Sequence, residues 1–234
     1  MNAPSRTAGT SVVDDVGWIA GGFVNAYTFR EGNETFLIDT GFSRNARPIV
    51  RAFEDSRVAL SSVTTVLLTH HHFDHMGGAA YLLGNTSAPL ACHRDDVPYV
   101  TGATRPRMPL LMRLFVRFHP APVARPLAEG DRVGPLVVVH TPGHTPGEVA
   151  FYHPGRKILF SGDSVVERKG RLTLPGVKYA ANIEQAVRSL DLLRKLDVDV
   201  LLPGHGVPVK KEFGSLLDDL IRRAPTEFLR RPSA

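Results

Sequence analysis

Along the front of the chain, apolar residues fall in short runs separated by turn-forming residues. Phe23 to Phe29 and Thr35 to Ile38 are rich in β-forming side chains, and Arg30-Glu31-Gly32-Asn33 between them has the composition of a hairpin turn. Arg47 to Ser56 follows with helical spacing. Val63 to Leu68 (VTTVLL) is a compact, β-branched apolar run, the pattern of a buried strand, and Ala79 to Leu83 predicts a short helix. Leu136 to Val139, Val149 to Tyr152 and Ile158 to Phe160 predict further strands. Within Asn182 to Leu196, the apolar residues Ile183, Ala186, Val187, Leu190 and Leu193 recur at helical spacing. Asp197 to Leu202 returns to strand, and an amphipathic helix is expected over Ser215 to Arg223. Strands dominate the front and helices recur throughout, so a layered α/β or α+β domain is favoured over an all-β barrel.

One segment departs from this pattern. Arg94 to Leu127 is proline-rich, and its centre, Pro109 to Phe118 (PLLMRLFVRF), is apolar apart from Arg113 and Arg117. Three readings stand for it: a core helix, a lid over a substrate pocket, and a membrane-surface or partner-binding helix. Its place between two blocks of candidate site residues favours a lid spanning residues 94–127. Leu110, Leu111, Leu114, Phe115 and Phe118 would then meet an apolar, acyl-like portion of a small-molecule substrate. Residues 1–11 have the character of a disordered lead-in, which leaves 12–234 as a single domain.

Composition narrows the function classes. With 234 residues, 43% of them hydrophobic and 22% charged, the chain can bury a sizeable core. The single cysteine, Cys92, excludes a disulfide framework or a thiolate cage within one chain and agrees with a reducing cytoplasm. No apolar run approaches the ~20 residues that cross a bilayer, and the N-terminus lacks the pattern of a signal peptide. The net charge of +5 is mild. Arginines cluster between Arg94 and Pro126 and again at Arg222, Arg223, Arg230 and Arg231; solvated faces are the first reading of them, ahead of attraction for anionic substrates or nucleic acid. No nucleic-acid-binding motif accompanies them.

The chemistry concentrates in THHHFDHMGG, Thr69 to Gly78. On an extended segment alternate side chains face one way, so His70 and His72 can reach one ion while His71 points elsewhere. Asp74 and His75 add a carboxylate and a third imidazole, a donor mix suited to zinc, iron or manganese. Three distant fragments repeat a pattern in which an apolar strand ends and a donor begins. HTPGHTPGEV carries His144, FSGDSV carries Asp163 and LLPGHG carries His205. Sites in layered folds are commonly built from such loops at strand ends. Five histidines and two aspartates exceed the needs of one tetrahedral ion and suit two ions sharing a carboxylate.

The blocks H-x-H-x-D-H (His70, His72, Asp74, His75), TPGHT, SGD and PGHG, in that order, resemble the metallo-β-lactamase superfamily. The resemblance extends from VNAYTFREGNETFLIDTG (Val24 to Gly41) to His205 and is nearest to glyoxalase II-type and lactonase-type hydrolases. It implies an α+β fold, a four-layer αβ/βα sandwich of two mixed β-sheets flanked by helices. It implies two divalent ions, zinc foremost with iron or manganese as alternatives. His70, His72 and His144 would hold one, Asp74, His75 and His205 the other, and Asp163 would bridge them. Asp39, in LIDTG, would support the ligand imidazoles through hydrogen bonds, or else cap the turn before Gly41. Gly77 and Gly78 are expected to serve backbone packing. The implied reaction is hydrolysis, in which a metal-bridging hydroxide attacks the carbonyl of a thioester, ester or lactone. Asp74, once protonated, could serve the leaving group. No G-x-S-x-G nucleophile elbow is present.

Departures from the subclass patterns bear on the substrate. Val166 stands where homoserine-lactone hydrolases of this superfamily carry a tyrosine, three residues after the bridging aspartate. The short stretch after His205 cannot build the helical domain with which glyoxalase II enzymes hold glutathione. Asp163 sets the chain apart from the β-lactamases proper, and His72 from the flavodiiron members. Outside carbonyl hydrolysis, the alternatives are a phosphodiesterase or nuclease of the same superfamily and a mononuclear iron persulfide dioxygenase. A protein that merely holds metal is a third, disfavoured because structural zinc sites are closed and cysteine-rich.

Overall fold

In a computed structural model, residues 8–42, 45–105 and 119–229 are described, and the chain divides into two compact units, residues 1–126 and 127–234. The expected lid residues Leu110, Leu111, Leu114, Phe115 and Phe118 lie outside the described residues.

The first unit is built on a seven-stranded mixed sheet, ordered β1 to β7 as in the sequence. Strands β1 (Thr10–Val13), β2 (Val16–Ala20), β3 (Asn25–Glu31) and β4 (Glu34–Ile38) form an antiparallel meander. The β3–β4 hairpin closes at Gly32-Asn33, because Glu31 pairs with Glu34 and Gly32 takes a φ of 56°. From β4 the sheet turns parallel through β5 (Thr65–Leu67) to β6 (Leu90–His93), with β7 (Arg125–Leu127) at the edge. Helix α1 (Arg47–Ser56) links β4 to β5, and α2 (Phe73–Met76) and α3 (Ala79–Asn85) lie between β5 and β6. A short α4 (Val97–Val100) follows β6. Ile49 and Phe53 of α1 and Leu82 of α3 join Leu37, Val66, Leu68 and Leu90 in one core, as parallel strands carrying helices require. β1 begins inside the segment expected as lead-in: Ala8 is buried, and its carbonyl accepts from Thr28 Oγ1 at 2.6 Å.

The second unit carries a six-stranded mixed sheet, ordered β15-β14-β11-β10-β9-β8. Its strands are β8 (Arg132–Val133), β9 (Leu136–His140), β10 (Val149–His153), β11 (Ile158–Gly162), β14 (Val200–Pro203) and β15 (Val209–Lys210). β11 and β14 run parallel, and the crossover between them contains the β12–β13 hairpin (Val166–Arg168 and Arg171–Thr173) and helix α5 (Ile183–Leu193). Asn182 caps α5, its side chain accepting from Gln185 N at 3.0 Å. Helix α6 (Phe213–Ala224) buries Phe213, Leu217 and Leu220 with Leu190 and Leu193 of α5 and Leu159 and Leu201 of the sheet.

The fold class is α+β, two mixed sheets flanked by helices, as the resemblance implied. In both units parallel strands lead into loops that carry candidate site residues, β6 excepted. β4 leads to Asp39, β5 to the histidine cluster, β11 to Asp163 and β14 to His205.

Candidate metal centre

In the first unit two of the donors, His70 and His75, hang on a continuous hydrogen-bonded chain. Asp39 takes a φ of 59°, a left-handed conformation that aspartate tolerates better than most residues, and is buried. Its Oδ1 accepts from Thr69 N at 2.8 Å; its Oδ2 lies 2.8 Å from both Thr69 Oγ1 and His75 Nδ1. Thr69 Oγ1 in turn lies 3.1 Å from His70 Nδ1. The proton positions follow from the donor inventory. A carboxylate only accepts, so the Thr69 hydroxyl gives its one proton to Asp39 and can then accept only from His70 Nδ1–H. His75 likewise donates from Nδ1. As neutral imidazoles both would therefore carry their lone pair on Nε2, the tautomer that binds a metal through that nitrogen.

Local structure aims these rings. His70 to His72 continue from β5 without regular structure, and His72 precedes α2, whose first turn carries Asp74 and His75. The His70 ring centroid lies 4.9 Å from that of His72 and 4.1 Å from that of His75. Asp74 Oδ2 is 3.9 Å from His75 Nε2. The His75 carbonyl accepts from both Thr40 N and Thr40 Oγ1 at 2.7 Å, which fixes its main chain. A Cβ at Gly77 would meet Phe73 O at 2.5 Å and Phe42 O at 2.6 Å, so the glycine permits a close backbone approach beside the donors. His71 turns elsewhere: its N–H donates to Asp96 Oδ2 at 2.9 Å, and its ring stacks on Tyr99 at 4.1 Å.

In the second unit, Asp163 sits between two imidazoles. His144 Nε2 is 3.3 Å from Oδ2, and His205 Nε2 is 3.4 Å from Oδ1. A tetrahedral ion with bonds of ~2.0–2.1 Å sets its donor atoms ~3.3 Å apart. These two separations match that edge and exceed the ~2.9 Å of an ordinary N–H···O bond. The donor set thus fits a carboxylate shared by two cations, with nitrogen and oxygen ligands suited to a divalent ion. Asp163 N donates to the buried Glu148 Oε1 at 2.9 Å, while Thr141 Oγ1 and Ser164 Oγ share a hydrogen bond of 2.5 Å. The His144 turn is tied to the start of α5 by Ala181 N to His144 O (3.0 Å) and Asn182 N to Gly143 O (2.8 Å).

Of the seven sequence-selected donors, five lie in loops that follow strands and Asp74 and His75 lie on the single-turn helix α2, four in one unit and three in the other. Sequence reasoning missed Thr40, Thr69, Asp96 and Glu148. Glu148 alone left a signal, a lone acid at the start of an apolar strand; the others depend on register. Cys92 offers no alternative nucleophile, since burial pushes its thiol up to about 12. Among the described residues, no helix is long and apolar enough to cross a membrane.

Residues 19–205 match the family model of the metallo-beta-lactamase superfamily. The "Probable metallo-hydrolase YybB" of Bacillus subtilis is 28% identical over 185 residues, covering 78% of this chain and 80% of that protein. The human "Acyl-coenzyme A thioesterase MBLAC2" is 26% identical over 231 residues, 88% of this chain and 83% of that one. Among solved structures, TTHA1623 in a di-iron-bound form is 32% identical with a TM-score of 0.66, covering 83% of this chain and 95% of that chain.

Proposed function

Starting from a chain that belongs to the metallo-beta-lactamase superfamily, we propose that this protein is a dinuclear metal-dependent hydrolase acting on a small-molecule thioester, ester or lactone, thioester foremost. The observation that carries the reading is Asp163, one oxygen facing His144 and the other His205 at metal-donor separations. His70, His72 and His144 are assigned to one ion, Asp74, His75 and His205 to the other, and Asp163 to both. Bound ions of this kind supply Lewis acidity and lower the pKa of water from ~15.7 toward ~7. Zinc is the first choice, and the di-iron form of TTHA1623 makes iron the alternative.

The chain's own residues do the rest. Asp39 and Thr69 hold His70 and His75 in the Nε2 lone-pair tautomer. Asp74, partly exposed, is assigned the role of carrying a proton to the leaving group. A thiolate leaving group needs that proton less than an alkoxide does, and the thioesterase relative favours the same substrate class. A buried thiol as the single cysteine suits a reducing compartment, the cytoplasm.

The test is a hydrolysis panel of acyl thioesters, lactones, aryl esters, β-lactams and phosphodiesters, with Asp163→Ala as blank and metal content measured alongside. Thioester turnover that disappears in Asp163→Ala while the circular dichroism spectrum persists is expected. Turnover retained in that variant, or confined to phosphodiesters, would sink the assignment.

A further inference from the structure

PGHG supplies His205 to the site, yet nothing in that motif explains how a glycine-flanked histidine is held to one orientation. Two of its neighbours, Gly204 and Gly206, are the most permissive residues available, and Gly206 takes a φ of 92°. The constraint comes from another strand. Glu167, on β12 four residues after Asp163, is buried, and its main-chain N–H donates to His205 O at 3.0 Å. Its Oε2 accepts from Val207 N at 2.9 Å, forty residues along the chain. One residue therefore grips the loop on both sides of Gly206. The contact leaves no room there: a Cβ at Gly206 would stand 2.2 Å from Glu167 O and 2.6 Å from Oε2.

The other carboxylate oxygen, Oε1, accepts from Gly170 N at 2.6 Å in the turn of the β12–β13 hairpin. A hairpin-capping role would account for that bond alone. It would not account for the two long-range contacts, the Glu167 main-chain N–H to His205 O and the bond that Oε2 accepts from Val207 N while Oε1 holds the hairpin turn.

We propose that Glu167 is a positioning residue for His205, fixing the histidine's backbone so that its imidazole faces Asp163; this rests on the two-ion reading above. Partners that orient ligand histidines typically change metal affinity by ~10- to 100-fold when removed, and Glu167 does this through the main chain rather than the ring.

The experiment titrates Zn2+ into metal-free wild type, Glu167→Ala, Glu167→Gln, His205→Ala and Leu172→Ala, with melting temperature read on the same samples. Wild type is expected to bind two ions, and His205→Ala to weaken one. Glu167→Ala should weaken that same ion by about 10- to 100-fold and leave the other within about threefold. Glu167→Gln, which keeps one acceptor oxygen, should fall between. Leu172→Ala, buried on the facing strand β13, should lower the melting temperature without changing Zn2+ affinity. Equal affinity losses in Glu167→Ala and Leu172→Ala would reduce Glu167 to a structural role and overturn the proposal. So would unchanged affinity in Glu167→Ala beside a weakened His205→Ala, and both results would leave the two-ion reading standing. Wild type that binds a single ion, indifferent to His205→Ala, overturns that reading and this proposal together. Should Glu167→Ala fail to fold, Glu167→Gln carries the comparison.

Discussion

Asp39 shows how much a single side chain settles at this site. Its two oxygens receive three hydrogens, from Thr69 N, Thr69 Oγ1 and His75 Nδ1, and through Thr69 it also sets the proton on His70. Asn in its place keeps the shape but puts an amide donor where protons already point, whichever way the amide is turned. Asp39→Asn is therefore expected to lose about 1–3 kcal/mol of stability from a buried mismatched donor. Metal affinity should fall by ~10- to 100-fold. Denaturant unfolding and Zn2+ titration read the two effects separately, and a variant unchanged in both would show that the chain of protons does not hold the ligands. The aspartate was legible in LIDTG as a candidate, with turn-capping as its rival. Thr69 was not, because a threonine before a histidine carries no signal until the sheet brings Asp39 beside it.

At the scale of elements, apolar spacing located the longer ones well. Arg47–Ser56 forms helix α1 as expected, and Asn182 to Leu196 contains α5 over Ile183–Leu193. The strand expected over Asp197 to Leu202 is Val200–Pro203, and the C-terminal helix runs Phe213–Ala224 rather than beginning at Ser215. The short elements escaped. Helix α2, a single turn within the ligand motif, has too few residues to show a period, and the three-residue strands β12 and β13 have the same defect. Boundaries shifted where a cap or a turn decided them, as at Asn182, whose side chain takes over an orphan amide of α5. Asn182→Ala should cost about 1 kcal/mol. Because α5 begins where two main-chain bonds tie it to the His144 turn, amide exchange at Ala181 and Asn182 is expected to quicken in that variant. Exchange as slow as in wild type would separate the helix cap from the turn.

For the whole molecule, metal and stability should be linked. An ion that binds the folded chain and not the unfolded one stabilises by ~4 kcal/mol at a thousandfold excess over its Kd. Chelation is therefore expected to lower the melting temperature reversibly, with Zn2+ restoring it in proportion to the logarithm of its concentration. A melting temperature indifferent to chelator would argue that the donors hold no ion. The composition contributes less at this scale: a net charge of +5 on 234 residues is a weak field, and the arginines of α6 are engaged locally, Arg223 with Asp219 and Glu227.

The sequence by itself supplied the candidate donors, the apolar runs that lead to most of them, and a layered domain of α/β or α+β type, which the resemblance narrowed to α+β. The donors, the runs and the layered type depend on residue type and short-range spacing. Only the tertiary structure decided which groups support those donors. Thr69 lies thirty residues from Asp39, His75 thirty-six, and Val207 forty from Glu167, separations bridged by strand order and register rather than by any local pattern. THHHFDHMGG suggested a metal site; the partners that orient His70 and His75 became visible once β4 lay beside β5.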